Sequence, residues 1–208
     1  APRGIKTTLL SNDIVPLNAI QPDTGVEKGY VDEWNSLKMI GETNLKIPNS
    51  AATRFYVDNE TGFNLTLVDE YIRYDSLTGP CILEVYEGVD ISSAKLLLAQ
   101  EFRKTVNSGG YTSIKLNEQL YFEKGSYFWI AVHVPAGNRY PLGIGLEKSS
   151  EYSSNCYMSL NTGKTWRKLE ELYQDNRVVW AVWAYEFSKK LDQFIQLSPD
   201  SGIVESNK

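Results

Sequence analysis

The chain has little of what most hydrolytic and metal chemistry requires. Its 208 residues include one histidine, His133, and two cysteines, Cys81 and Cys156. A serine or cysteine hydrolase with an imidazole base would have to use that histidine. Neither cysteine stands in a nucleophile context, and no G-x-S-x-G elbow occurs. One histidine and two scattered cysteines leave no zinc spacing. Long apolar runs are also missing: the run over residues 128–134 is interrupted by His133 and is far too short to span a bilayer. Positive charge is in deficit, with 21 Lys and Arg against 26 Asp and Glu, a net charge of −5. That balance argues against a nucleic-acid groove and against a polybasic membrane patch. Methionine is scarce and does not stand first. A chain opening Ala1-Pro2-Arg3 reads as a piece of something longer, without a visible signal peptide.

What is present is the composition of a globular domain rich in aromatics. Hydrophobic residues make up 42% and charged residues 23%, which excludes a disordered or collagen-like chain. Thirteen tyrosines outnumber the 7 phenylalanines and 5 tryptophans, and tyrosine with β-branched residues fits a pleated surface. The length suits one large domain, or one domain with a fragment of another. Cys81 and Cys156 each fall on the apolar side of an expected strand. They read either as one disulfide or as two free buried thiols.

Apolar alternation and turn signals cut most of the chain into short strands. Residues 1–50 are the least regular, punctuated by Pro16, Pro22, Gly25, Gly29, Gly41 and Pro48. Short strands are expected there at 7–10 and 37–40, with Trp34 anchoring the loop before the second. Further strands are expected at 53–57, 64–74, 81–86, 95–103, 111–116, 126–134, 143–146, 155–160 and 178–187. The separators are turn compositions such as Asn107-Ser108-Gly109-Gly110 and Glu123-Lys124-Gly125. In the strand over 126–134, Phe128, Ile130, Val132 and Val134 form the core set, with His133 on the other face beside Trp129 and Ala131. Only 167–174 suggests a helix, of barely two turns. Eight or more strands without alternating helices predict an all-β fold, an antiparallel β-sandwich of jelly-roll type.

The most specific local motif is Ser159-Leu160-Asn161-Thr162-Gly163-Lys164-Thr165-Trp166, which resembles the Asp-box hairpin S-x-D-x-G-x-T-W with Asn161 in the acidic position. Its residues read as structural. Asn161 bonds the turn backbone, Gly163 takes a positive φ, and Trp166 plugs the core beneath. Tyr140, Tyr152 and Tyr173 lie in or beside loops and are candidates for stacking on sugar faces. No cofactor is expected. A structural calcium is conceivable because oxygen ligands suffice, with Asp58-Asn59-Glu60 and Asp69-Glu70 the densest acidic stretches. Both stretches also read as solvated turn or edge charges. Asn59-Glu60-Thr61 and Asn64-Leu65-Thr66 match the N-glycosylation pattern, a common chance match. A glycoside hydrolase on a jelly roll would need two carboxylates in one cleft, which sequence does not reveal.

A resemblance spans roughly residues 30–187. Trp34, Ala51-Ala52-Thr53-Arg54-Phe55 and Ile82-Leu83-Glu84-Val85-Tyr86-Glu87-Gly88 come in order. Gly125-Ser126-Tyr127-Phe128-Trp129-Ile130-Ala131-Val132, Tyr140-Pro141-Leu142-Gly143, the Asn161-to-Trp166 hairpin and Trp180-Ala181-Val182-Trp183-Ala184 follow. The series resembles the jelly-roll accessory domain that follows the catalytic domain in secreted peptidases of anaerobic Gram-negative bacteria, both subtilisin-like and streptopain-like. Similar modules occur in adhesins. The tail Leu197-Ser198-Pro199-Asp200-Ser201-Gly202-Ile203-Val204 is similar to the opening of immunoglobulin-like modules that follow such jelly rolls. The resemblance implies three parts: 1–30 as a linker or lead-in, 31–187 as the sandwich, and 188–208 as a linker and the first strand of an immunoglobulin-like domain. It also implies a non-catalytic, extracellular or cell-surface module. The expected partners are an upstream catalytic domain, a downstream immunoglobulin-like domain, and a glycan or protein substrate, with no nucleic acid and no membrane insertion. No catalytic residue is carried over.

Overall fold

A computed structural model of the chain describes residues 25–30, 37–103, 110–146, 152–173 and 177–187. The expected strand at 7–10, the Trp34 anchor and the segment 188–208 lie outside the described residues. Among the described residues thirteen strands form two antiparallel sheets packed face to face. The strands are β1 (Gly25–Gly29), β2 (Lys38–Ile40), β3 (Asn49–Tyr56), β4 (Phe63–Ile72), β5 (Cys81–Glu87), β6 (Lys95–Phe102) and β7 (Gly110–Phe122). They continue as β8 (Tyr127–Val134), β9 (Leu142–Leu146), β10 (Cys156–Ser159), β11 (Arg167–Lys168), β12 (Val178–Trp180) and β13 (Val182–Phe187). The six-stranded sheet runs β11-β10-β3-β8-β5-β6. The other runs β1-β13-β4-β9-β12, with β2 on β9 and β7 on β4.

The connectivity is nested. β5 pairs with β6, β4 with β7, and β3 with β8. A long hairpin rolled up on itself gives this nesting, and a jelly roll is such a hairpin wrapped into two layers. The sandwich follows because each central strand has one apolar side. In β8, Phe128, Ile130, Val132 and Val134 point into the main core, as alternation predicts. Within that core a run of rings crosses the space between the sheets. Tyr152 stacks on Tyr30 at 4.4 Å, Tyr30 on Phe55 at 5.1 Å, and Phe55 on Phe128 at 5.2 Å. Phe63 and Phe122 complete the cluster around Phe128.

Several expectations need correction. Among the described residues Gly25–Gly29, inside the segment assigned to the lead-in, already belong to the sheet, because β1 pairs along β13. The single strand expected at 178–187 is two strands. At Ala181 the chain changes partners: its amide donates to Gly143 O, and its carbonyl accepts from the Tyr71 amide. The strand expected at 111–116 extends to Phe122. The two-turn helix is a single turn, α1 (Leu169–Leu172), because Arg167 and Lys168 pair with β10. Asp69 and Glu70 are not solvated edge charges but buried residues of β4. Cys81 and Cys156 are buried and not joined in a disulfide. They sit on β5 and β10, with β8 and β3 between them, about 14 Å apart across the sheet at the usual strand spacing. A disulfide needs Cα atoms within about 7 Å.

The two ends of the sandwich are distinct. Gly25 pairs with Phe187, so the first and last described residues of the sheets lie side by side, about 5 Å apart. Asn64 N donates to Glu186 Oε2, which fixes this point beside the start of β4, near loops 57–62 and 123–126. The ten residues of β4 run from there to Ile72, about 30 Å away. At that far end Ile72 pairs with Leu142, directly after the loop holding Tyr140.

Candidate functional site

Three loops knit together at the far end. They are 41–48 between β2 and β3, 73–80 between β4 and β5, and 135–141 between β8 and β9. Asn138 is the knot. Its Oδ1 accepts from Asp75 N at 2.7 Å, while its Nδ2 donates to Thr78 Oγ1 and Pro135 O. Gly137 N donates to Leu45 O at 2.7 Å and Tyr140 N to Glu42 O at 3.4 Å. The Glu42 amide in turn donates to Asn49 Oδ1. Buried amide side chains that answer backbone groups this fully make a loop cluster rigid.

Tyr140 stands at the tip of this cluster, 41% exposed, with a φ of 47°. A tyrosine rarely occupies the left-handed region, and such strain is held only where surrounding structure imposes it, often at ligand sites. Tyr173 follows α1, its amide bonded to Leu169 O. Its phenol is pushed up by burial, and further by Glu42 and Tyr140. Tyr140 and Glu42 therefore lie within electrostatic reach of the Tyr173 phenol. Two of the three sequence candidates lie in one neighbourhood here, with a carboxylate that sequence did not single out. A pair of ring faces with a polar rim suits a hydroxyl-rich ligand.

The remaining candidates are placed elsewhere. Tyr152, half-buried, stacks on Tyr30 at the margin of the core cluster, away from Tyr140 and Tyr173 in the ring contacts it makes. Asp58 pairs with Lys28 at 2.6 Å, which holds its carboxyl below the usual carboxylate range, and Glu60 pairs with Lys124. The two acids thus turn to different lysines, with Asn59 half-buried between them. Among the described residues no group of three or more His, Cys, Asp or Glu side chains converges.

The hairpin 159–166 forms as its motif predicts. Asn161 Oδ1 accepts from Thr165 N at 3.0 Å and from Ser159 Oγ, and Ser159 Oγ accepts from Gly163 N. Gly163 has a φ of 75°, and a Cβ there would stand 3.0 Å from the His133 ring. Trp166, however, plugs a second cluster on the outer face of the six-stranded sheet, not the core between the sheets. Asn161→Ala removes an exposed set of turn bonds and is expected to cost about 1 kcal/mol, with Asn161→Asp close to neutral; urea denaturation of both variants checks this.

Under the hairpin lies His133, 4% exposed. Its Nδ1 is 2.8 Å from Ser50 Oγ and its Nε2 2.8 Å from Glu84 Oε2. The same carboxylate oxygen accepts from the Tyr86 hydroxyl. The residue types are those of a hydrolase triad, but the polarity is reversed, since a catalytic serine faces Nε2 and its acid Nδ1. Ser50 is also fully buried within β3. The row links β3, β8 and β5 across the six-stranded sheet. Its strand partners, Ser50 to His133 to Ile82, are set by register between distant strands, which sequence alone does not reveal.

No protein-family model and no curated protein sequence matches the chain. Solved structures do. A clostridial cysteine protease, Cwp84 after propeptide cleavage, superposes with a TM-score of 0.52 at 15% identity, covering 79% of this chain and 41% of that one. The likeness is one of fold. A second structure, of the cysteine protease and lectin-like domains of Cwp84, a surface layer associated protein of Clostridium difficile, matches with a TM-score of 0.47 at 15% identity. It covers 68% of this chain and 32% of that one. The chain thus spans less than half the length of either protein.

Proposed function

We propose that this is a non-catalytic accessory domain of a larger secreted or cell-surface protein, a peptidase by the fold it shares with Cwp84. Its task is to bind a glycan or a glycan-bearing protein substrate at the tip formed by Tyr140, Tyr173 and Glu42. The observation that carries this reading is the polarity of the fold. The first and last described strands bring Gly25 and Phe187 side by side, while the strained Tyr140 and its neighbours occupy the opposite end. A module attached through those two strands works poorly as a spacer, because its attachment points are adjacent. It works well as an arm that presents its far end.

The single histidine supports the non-catalytic part, being committed to Ser50 and Glu84 beneath the hairpin. Among the described residues no helix is long and apolar enough to cross a membrane. The test is a glycan array probed with the 208-residue protein and with Tyr140→Ala and Tyr173→Ala. Specific binding is expected, weakened at least tenfold in each variant with the thermal transition kept. Binding that neither variant alters, or no binding to any glycan, would count against the tip.

A further inference from the structure

The outer face of the six-stranded sheet is not an ordinary polar surface. Ala52, Trp129 and Ala131 are buried there under Ile91 of the loop after β5 and under the hairpin 159–166. Tyr86, Tyr157 and Trp166 pack around them and stay half-buried, with part of each ring toward solvent. Half-exposed aromatic clusters of this kind mark interaction sites more often than chance.

In the middle of this face sits Glu84. Its Oε2 is held from two sides, by the Tyr86 hydroxyl and by His133, which Ser50 fixes from behind. The side chain is nevertheless 21% exposed, so the carboxylate is immobilised and still open to solvent. Among the described residues no lysine or arginine pairs with it. A fixed carboxylate that no lysine or arginine neutralises, set among ring edges and faces, is complementary to a cation. The same face shows that its rings accept one. Arg54, two residues along β3 from Ala52, lies over the Tyr127 ring at 5.0 Å and the Trp129 ring at 5.6 Å.

We propose that this face docks a basic peptide segment, whose lysine or arginine places its cation on Glu84 and its aliphatic stem along Tyr86 and Trp166. Long basic side chains bury their methylenes on apolar surface while the charged head reaches a partner, which the neighbouring rings and carboxylate provide together. The site is separate from the tip and does not depend on it.

The 208-residue protein is titrated with tetralysine and with tetraglutamate, following the indole N–H resonance of Trp166. Tetralysine is expected to shift that resonance and tetraglutamate to leave it unmoved. Glu84→Gln should weaken tetralysine binding at least tenfold. Glu123→Gln, which removes an exposed carboxylate at the end opposite the tip, should change it less than twofold, and Tyr140→Ala not at all. Equal weakening by Glu84→Gln and Glu123→Gln would reduce the effect to general attraction by a chain of net charge −5 and overturn the proposal. Should Glu84→Gln fail to fold, the unmodified protein still decides, because a Trp166 resonance unmoved by tetralysine overturns it equally.

Discussion

Phe128→Ala is expected to destabilise the protein by about 3–5 kcal/mol, the upper range for truncating a buried side chain. Phe128 is fully buried and stands where three rings meet: Phe122 at 4.5 Å, Phe55 at 5.2 Å and Phe63 at 5.7 Å. These partners come from β7, β3 and β4, so one side chain ties both sheets. Removing it forfeits transfer energy, leaves a cavity that stiff β-strands cannot close, and breaks ring pairs worth about 0.5–1.5 kcal/mol each beyond their area. For a chain of this length the loss corresponds to roughly 10–15 °C in Tm. Chemical denaturation with an unchanged slope is the measurement. A loss under about 1 kcal/mol would mean that the ring cluster does not hold the layers together.

The second large effect is an unusual dependence on pH. Glu70 points into the core from β4, on the side of Val68 and Ile72, and is 2% exposed. Burial pushes its carboxyl well above the ordinary value, and burial also raises Asp69 against hydrogen bonds from Ser113 and Tyr185. The folded protein therefore keeps protons that the unfolded chain releases above about pH 4.3. Stability must fall as pH rises from that value toward the raised folded pKa, by about 1.4 kcal/mol per pH unit for each such group. At the acid end the sign reverses. Glu84 is lowered by its bond to His133, and Asp58 by Lys28, so their contributions vanish once they protonate below the ordinary carboxylate range. The stability maximum should thus lie in the ordinary carboxylate range, about pH 4, with a lower Tm at pH 8. Glu70→Met, apolar and of similar volume, should raise stability at pH 8 and remove much of the slope. A Tm that climbs from pH 5 to pH 8 would contradict the buried state of Glu70.

How far the fold was legible depended on how locally each feature is encoded. β5 and β8 stood out because alternation alone sets which side is buried, with Cys81, Leu83 and Val85 in one and Phe128 to Val134 in the other. β1 did not, because Gly-Val-Glu-Lys-Gly carries no apolar alternation, and the strand exists through pairing with β13. That omission had a consequence at the site. Tyr152 read as an exposed loop tyrosine because its stacking partner, Tyr30, follows directly on the unseen strand. The break at Ala181 was equally hidden, since Val178 to Ala184 is apolar throughout and the change of partner depends on β9 and Tyr71.

The site was half visible for the same reason. Loop position brought out Tyr140 and Tyr173. Glu42 and Asn138 carried no signal, because they meet the tyrosines only when nested strand pairing gathers three loops far apart in sequence. The Asp-box-like hairpin was legible in full as a turn, down to the roles of Asn161 and Gly163. What it covers was not, because the histidine beneath it is placed by the register of β3, β8 and β5.

The most direct measurement is amide NMR on the 208-residue protein titrated with oligosaccharides, mapping which backbone resonances move. The expected result is a set of perturbations confined to residues 41–48 and 135–141 and to Tyr173, with the opposite end beside loops 57–62 and 123–126 unchanged. Perturbations centred on that opposite end, or none at saturating oligosaccharide, would contradict the account of a domain that presents a binding tip.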